Sequence, residues 1–305
     1  PIYQKASAYL EKDYVSGIVN NSWGADYTYT YADVDKDDKV LNLATSSDIP
    51  TLDLSKATDQ QSFQTANTTM EGLTRVDAEG KVQPGVAESW ETSEDGLTWT
   101  FKLRKNSTWS NGTPVTAHDF EYSWKRTLTP ETAAEYSYIM ADIVGSSTKE
   151  IQENGVDGVG VKALDDYTLE VKLNRPVAYF AELVSFQVFF PQNQAFVESC
   201  GDAYGSAADK QLYNGPFTLT SWKMEDQFTM EKNPNYWDAA NVKLNKINTK
   251  VVKDTGAEVS LYEDGQIDRA GLSSDYVDKY KDSKEFHTRD VASVFMLQVN
   301  GGNNK

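Results

Sequence analysis

The stretch Leu212 to Trp237, LYNGPFTLTSWKMEDQFTMEKNPNYW, constrains this chain more than any other. Asn214-Gly215-Pro216 reads as a turn. Phe217, Leu219 and Ser221 then alternate with Thr218, Thr220 and Trp222, the period of a strand. The polar run Met224-Glu225-Asp226-Gln227 reads as a hairpin turn, and Phe228 and Met230 share one face of the returning strand. Asn233-Pro234-Asn235-Tyr236-Trp237 follows, a proline-punctuated loop ending in two large aromatics. These residues specify a β-hairpin closed by an aromatic plug.

Other segments carry the same period. Trp99, Phe101 and Leu103 in LTWTFKLRK face a core after the Asp95-Gly96 turn, and Leu169, Val171 and Leu173 do so in YTLEVKL. Val40, Leu41 and Leu43 predict a short buried strand, VKLNKINTKVV another, and Ser293 to Asn300 a last one. Tyr27, Tyr29 and Tyr31 alternate as a strand with an aromatic face, which serves either sheet packing or a ligand platform. Trp109-Ser110-Asn111-Gly112 signals a further hairpin. Helices are predicted where apolar residues recur at helical spacing. Ile2, Ala6, Tyr9 and Leu10 do so, as do Phe63, Ala66, Asn67 and Met70. From Thr116, an N-cap with Asp119 closing a capping box, Phe120, Trp124 and Leu128 form a buried stripe. Two more helices are expected over Thr255 to Tyr262 and Ser274 to Lys281. The apolar run from Pro176 to Phe190 fits a helix or a strand, and Gly301 to Lys305 reads as a polar tail.

Charge and cysteine count exclude several function classes. Among 305 residues, 46 are acidic and 29 basic, for a net charge of −17. Such a chain has little with which to neutralise phosphates, so no nucleic-acid partner is expected. Cys200 stands alone, which removes any intrachain disulfide and any multi-cysteine metal site. Asp33, Asp35 and Asp37 mimic a calcium loop, but Asp38 stands where that loop needs Gly and Ala44 where it needs Glu. No metal and no cofactor is therefore expected. His118 and His287 give poor material for a catalytic triad, and no carboxylate pair is marked by spacing. No catalytic residue is assigned, and the chain is not expected to be an enzyme.

The hairpin with its Asn-Pro-Asn-Tyr-Trp loop, the element Pro84 to Trp90 (PGVAESW), WSNGTPVTAHDFEYSWKR from Trp109, and Asp264-Gly265-Gln266-Ile267-Asp268 together resemble one family. It is the oligopeptide- and dipeptide-binding proteins that serve bacterial ABC importers outside the cytoplasm. The resemblance implies a periplasmic-binding-protein-like α/β fold (type II, peptide-binding cluster), with a mixed sheet, flanking helices and a smaller α+β subdomain. Residues 1–70 and 191–305 would form the main subdomain and 71–190 the smaller one. The segment 1–35 is similar to the family's last segment, and KVLNLATSSDIPTLDL to its first, with Leu54 in place of a proline after Leu52-Asp53. The charged run 33–39 would join them. This order implies a circularly permuted, engineered single lobe without the second lobe or the exported, lipid-anchored leader.

What the resemblance implies about function follows from that. One lobe presents half of an oligopeptide cleft; its partners are a peptide and, in the full-length parent, the permease subunits. The lobe would be a monomer and extracytoplasmic. Ligand contacts carried over by position are Thr58, Asp59 and Gln60 in the loop after the first strand, Tyr136 after the Trp-Lys-Arg helix, and Met296 and Gln298 in the hinge strand. A relative binding nickel, haem or an oligosaccharide, or a surface adhesin or signalling-peptide receptor, remains an alternative.

Overall fold

The computed structural model describes residues 3–21, 24–77 and 79–295. Its three larger sheets each have a distinct origin in the chain. The first is mixed. Strands Phe217–Lys223, Gln227–Lys232 and Lys246–Val251 run antiparallel in that order, and Val40–Thr45 adds to the last of them in parallel. The second is antiparallel, in the order Val161–Asp165, Thr168–Lys172, Thr98–Leu103, Ala87–Thr92. The third places Tyr3–Glu11 between Arg269–Leu272 and Phe286–Phe295.

The apolar positions read from the sequence form the core. Trp99, Phe101 and Leu103 are buried, as are Leu169, Val171 and Leu173 on the neighbouring strand. Helix Ala117–Leu128 lays Phe120, Trp124 and Leu128 into the same cluster. Its start is held by the Thr116 N–H, which donates to the Asp119 carboxylate at 2.7 Å. One continuous core runs from these rings to Leu41, Phe217 and Phe228 of the mixed sheet. A smaller cluster of Leu10, Tyr262, Ile267 and Ala270 lies under the third sheet.

The Leu212 to Trp237 hairpin forms with one departure. The register shifts between Leu219 and Ser221, so Thr220 and Ser221 are both exposed and the alternation stops at the bulge. The aromatic plug closes on a buried acid. Tyr236 Oη and Trp237 Nε1 both donate to the Glu71 carboxylate. Arg75 bridges to Asp238 at 3.0 Å, and the Arg104 guanidinium lies 3.6 Å from the Trp237 ring centre. Burial pushes the Glu71 carboxyl above its ordinary range, against the pull of Arg75.

Four expectations are corrected. Residues 3–11 are a strand, not a helix. A central strand satisfies backbone groups on both sides, and that pairing outweighs a short, weak helical period. The aromatic alternation near Tyr27 sustains a strand only over Tyr27–Thr28. The Ala32 N–H then donates to the Tyr29 carbonyl at 3.0 Å, turning the chain so that Asp33–Val34 pair with Val15–Ser16. The run 33–39 is thus no loose linker: Val34 is fully buried, Lys39 bridges to Asp33 and Lys36 to Asp268. Tyr29 on one side of this turn and Leu41 and Leu43 on the other share the main core. The apolar run before Phe190 is neither one helix nor a strand but two short helical turns, Phe180–Leu183 and Gln187–Phe189, which dock several aromatic rings in little space. The expected tail, 301–305, lies outside the described residues.

Candidate functional site

Helix Gln60–Thr69 positions three of the residues carried over by resemblance. Thr58 is exposed just before it. Asp59 is its N-cap, with the carboxylate accepting from the Ser62 N–H at 2.8 Å, so this side chain supports the helix. Gln60 projects from the first turn and donates through Nε2 to the Gly24 carbonyl at 2.7 Å. Tyr136 is half-buried and reaches the same helix: its ring meets Phe63 edge-on at 5.4 Å and stacks on Phe186 at 5.9 Å. The exposed Tyr138 ring extends this group, 5.6 Å from Tyr136. Met296 and Gln298 lie outside the described residues.

Gln60 lines a trough whose other walls come from distant segments. On one side stand Gln60, Gln61 and Gln64 of the helix. The floor is Phe228, Met230, Ile247 and Thr249 of the mixed sheet, and the strand end Leu43 to Ser47 forms the far side. Asp26, Tyr27, Tyr29 and residues 43–46 belong both to this trough and to a chamber beyond it. The chamber, about 560 Å³, is walled by Ser7 to Tyr9, Glu258, Arg269, Gly271 to Ser273 and Arg289. Two strands from different sheets meet beside it. Asn42 and Asp268 exchange backbone and side-chain bonds, with the Asp268 N–H on the Asn42 carbonyl at 2.7 Å and the Asn42 N–H on Asp268 Oδ2 at 2.6 Å. Ala44 and Gly271, a few residues on from that contact, both line the chamber.

The chamber's cations are paired. Arg269 bridges to Glu11 at 3.1 Å and lies 3.8 Å from the Tyr9 ring and 4.4 Å from that of Tyr27. Arg289 bridges to Asp26 at 2.6 Å and covers Tyr27 at 4.5 Å. Tyr–Arg stacking of this kind holds both guanidinium planes rigid. A second, separate cavity lies between Asn21, Asn67, Glu71, Arg75 and Gln187 and includes none of the predicted site residues. His118 is exposed, 3.4 Å from Asp166, and His287 stacks on Tyr9 at the surface. Among the described residues no three His, Cys, Asp or Glu side chains gather as metal ligands. Nor is any helix there long and apolar enough to cross a membrane.

Sequence reasoning did not find Glu258, Arg269 or Arg289. They come from a helix and two strands whose convergence has no spacing signature. Arg269, directly after the Ile267-Asp268 turn, offered the one local clue.

Known proteins share this fold. The family model described as bacterial extracellular solute-binding proteins, family 5 Middle, matches residues 81–305. The oligopeptide-binding protein OppA of Bacillus subtilis is 38% identical over 249 residues, covering 80% of this chain and 46% of OppA. The substrate-binding domain of an oligopeptide ABC transporter from Bacillus anthracis superposes with a TM-score of 0.80 at 47% identity, over 82% of this chain and 48% of that one. Listeria monocytogenes OppA, solved bound to peptide, superposes at 0.79 and 42% identity, over 82% of this chain and 49% of its own. The chain thus spans about half the length of the relatives it matches, and its α/β architecture is that of a type II periplasmic-binding-fold lobe. On the match over 81–305 and these superpositions, the chain belongs to the bacterial extracellular solute-binding proteins of family 5.

Proposed function

We propose that this chain is one lobe of the peptide-binding component of an ABC importer and that the trough beginning at Gln60 is its half of the ligand cleft. The observation that carries this is the trough itself. It starts at a residue assigned to the ligand by resemblance and runs along the strand end 43–47. An extended peptide held by main-chain hydrogen bonds needs such a strand end on one side and tolerant side-chain space on the other. Gln60, Gln61 and Gln64 and the tyrosines supply that space. The chain binds and does not catalyse; its setting is extracytoplasmic, its partners are a peptide and membrane permease subunits, and it acts as a monomer without nucleic acid.

We also read residues 1–70 with 191–305 as the main subdomain and 71–190 as the smaller one. The sheet spanning 87–172 falls within the latter, and the other two larger sheets draw only on the former. The circular permutation is supported by the central place of Tyr3–Glu11 beside the late strand Phe286–Phe295 and by the tight turn at 33–39.

A single lobe offers a share of the hydrogen bonds, each worth about 0.5–1.5 kcal/mol net, against an association cost of about 4–15 kcal/mol. Binding near millimolar strength or weaker is the expected outcome. Amide NMR titration with an unblocked tripeptide tests this: shifts should saturate in that range and cluster on residues 43–46 and 60–64. Shifts confined to residues outside both this trough and the chamber beyond it would refute the assigned cleft, and micromolar affinity would refute the half-cleft.

A further inference from the structure

Glu258 is the one charged side chain of the chamber with no counter-ion among the described residues. Arg269 and Arg289 are neutralised by Glu11 and Asp26 and held flat against tyrosine rings. Glu258 instead projects from helix Thr255–Glu263, and its Oε1 accepts from the Gly271 N–H at 2.7 Å. Burial and this one donor are the influences on its carboxyl; neither arginine comes close enough to offset its charge. Burial raises its pKa, as expected of a carboxylate that lacks a cation.

We infer that Glu258 seats the ammonium or guanidinium of a basic side chain carried by the bound peptide, making it a specificity-determining residue. The inference rests on the peptide-binding reading above. A half-buried carboxylate facing open space stabilises a cation placed there by a charge-assisted hydrogen bond. A divalent metal would need several more oxygen ligands than one carboxylate, and among the described residues no such group of metal-ligating side chains gathers. A chamber of about 560 Å³ has room for a long side chain, and its position beyond the trough suits a group extending away from the peptide backbone.

The test compares Ala-Lys-Ala with Ala-norleucine-Ala, identical in their free termini, by amide NMR titration of the full chain. The Gly271 amide reports occupancy of the chamber. The lysine peptide should bind about five- to tenfold more tightly. Glu258→Gln should abolish that preference while keeping the Gly271 hydrogen bond, visible as an unmoved Gly271 resonance in the free protein. Glu258→Asp should retain part of it. Equal affinities in the wild type, or a preference that survives Glu258→Gln, would overturn the inference and leave peptide binding standing. Equal affinities that both fall in Glu258→Gln would assign the carboxylate to the peptide amino terminus instead. Absence of saturable binding by either peptide would refute the peptide reading and this inference with it.

Discussion

Asp53→Ala should be among the most damaging single substitutions in the chain. The Asp53 carboxylate is buried and meets Arg126 in a two-point fork, Nη1 to Oδ1 and Nη2 to Oδ2 both at 2.7 Å. Arg126 Nη1 also donates to Gln192 Oε1 at 2.8 Å, and the buried Gln192 side chain donates in turn to Ser55 and Ser123. Asp53 itself caps the Ser55 N–H at 3.1 Å. The pair ties the loop after strand Val40–Thr45 to helix Ala117–Leu128, and hence the two proposed subdomains to one another. Removing the carboxylate leaves a guanidinium largely buried with its remaining partner a neutral amide. Breaking a buried pair in this way costs about 3–5 kcal/mol. Asp53→Asn keeps the shape and loses the charge, for about 2 kcal/mol. The double substitution Asp53→Ala with Arg126→Met removes both charges and should recover most of the loss, because the pair's desolvation penalty disappears with it. Urea unfolding followed by tryptophan fluorescence measures all three, with the slope against urea held constant. A loss below about 1 kcal/mol for Asp53→Ala at an unchanged slope would refute the reasoning, since it would mean that Arg126 rehydrates without cost.

Three further outcomes are expected. Glu71→Ala removes the acceptor of the Tyr236 hydroxyl and of the Trp237 indole N–H, and one ion-pair partner of Arg75, and should lower stability by about 3–5 kcal/mol in urea unfolding, with near-ultraviolet circular dichroism reporting the loosened tryptophan. Asp119 has its carboxyl raised from 3.8 to about 6 by burial, despite the Thr116 and Trp109 donors. The folded state therefore holds a proton that the unfolded chain releases, so this group's stabilisation is present below about pH 4 and lost as pH rises through about 6. Between pH 4 and 7 the stability difference between wild type and Asp119→Asn should move by about 2 kcal/mol in favour of the asparagine variant; a pH-independent difference would contradict it. Gly205→Ala should destabilise by more than about 1 kcal/mol in thermal unfolding. Gly205 has a φ of +75°, and a Cβ there would fall 2.4 Å from the Asp53 backbone nitrogen.

Much of this molecule could be read directly from its residues. Alternation placed Trp99, Phe101, Leu169 and Val171 in the core because a strand's side-chain period is set by local geometry alone. The Thr116–Asp119 capping box and the stripe of Phe120, Trp124 and Leu128 likewise depend only on neighbours within a few turns. The quoted motifs carried the family, because turn and aromatic residues at fixed offsets survive as local patterns. Gln60 was reached by that route, whereas the walls opposite it were not. Residues 3–11 became a strand because two partners more than 250 positions away share their hydrogen bonds, and the trough exists because helix Gln60–Thr69, the mixed sheet and the strand end 43–47 converge from distant parts of the chain. Whether Glu258 lacks a counter-ion while Arg269 and Arg289 have theirs is likewise a matter of which segments the fold brings within a few ångströms. Local sterics and periodicity are written in adjacent residues; pairing, burial and unpaired charge belong to contacts between segments far apart in the chain, and those only the packed tertiary structure decides.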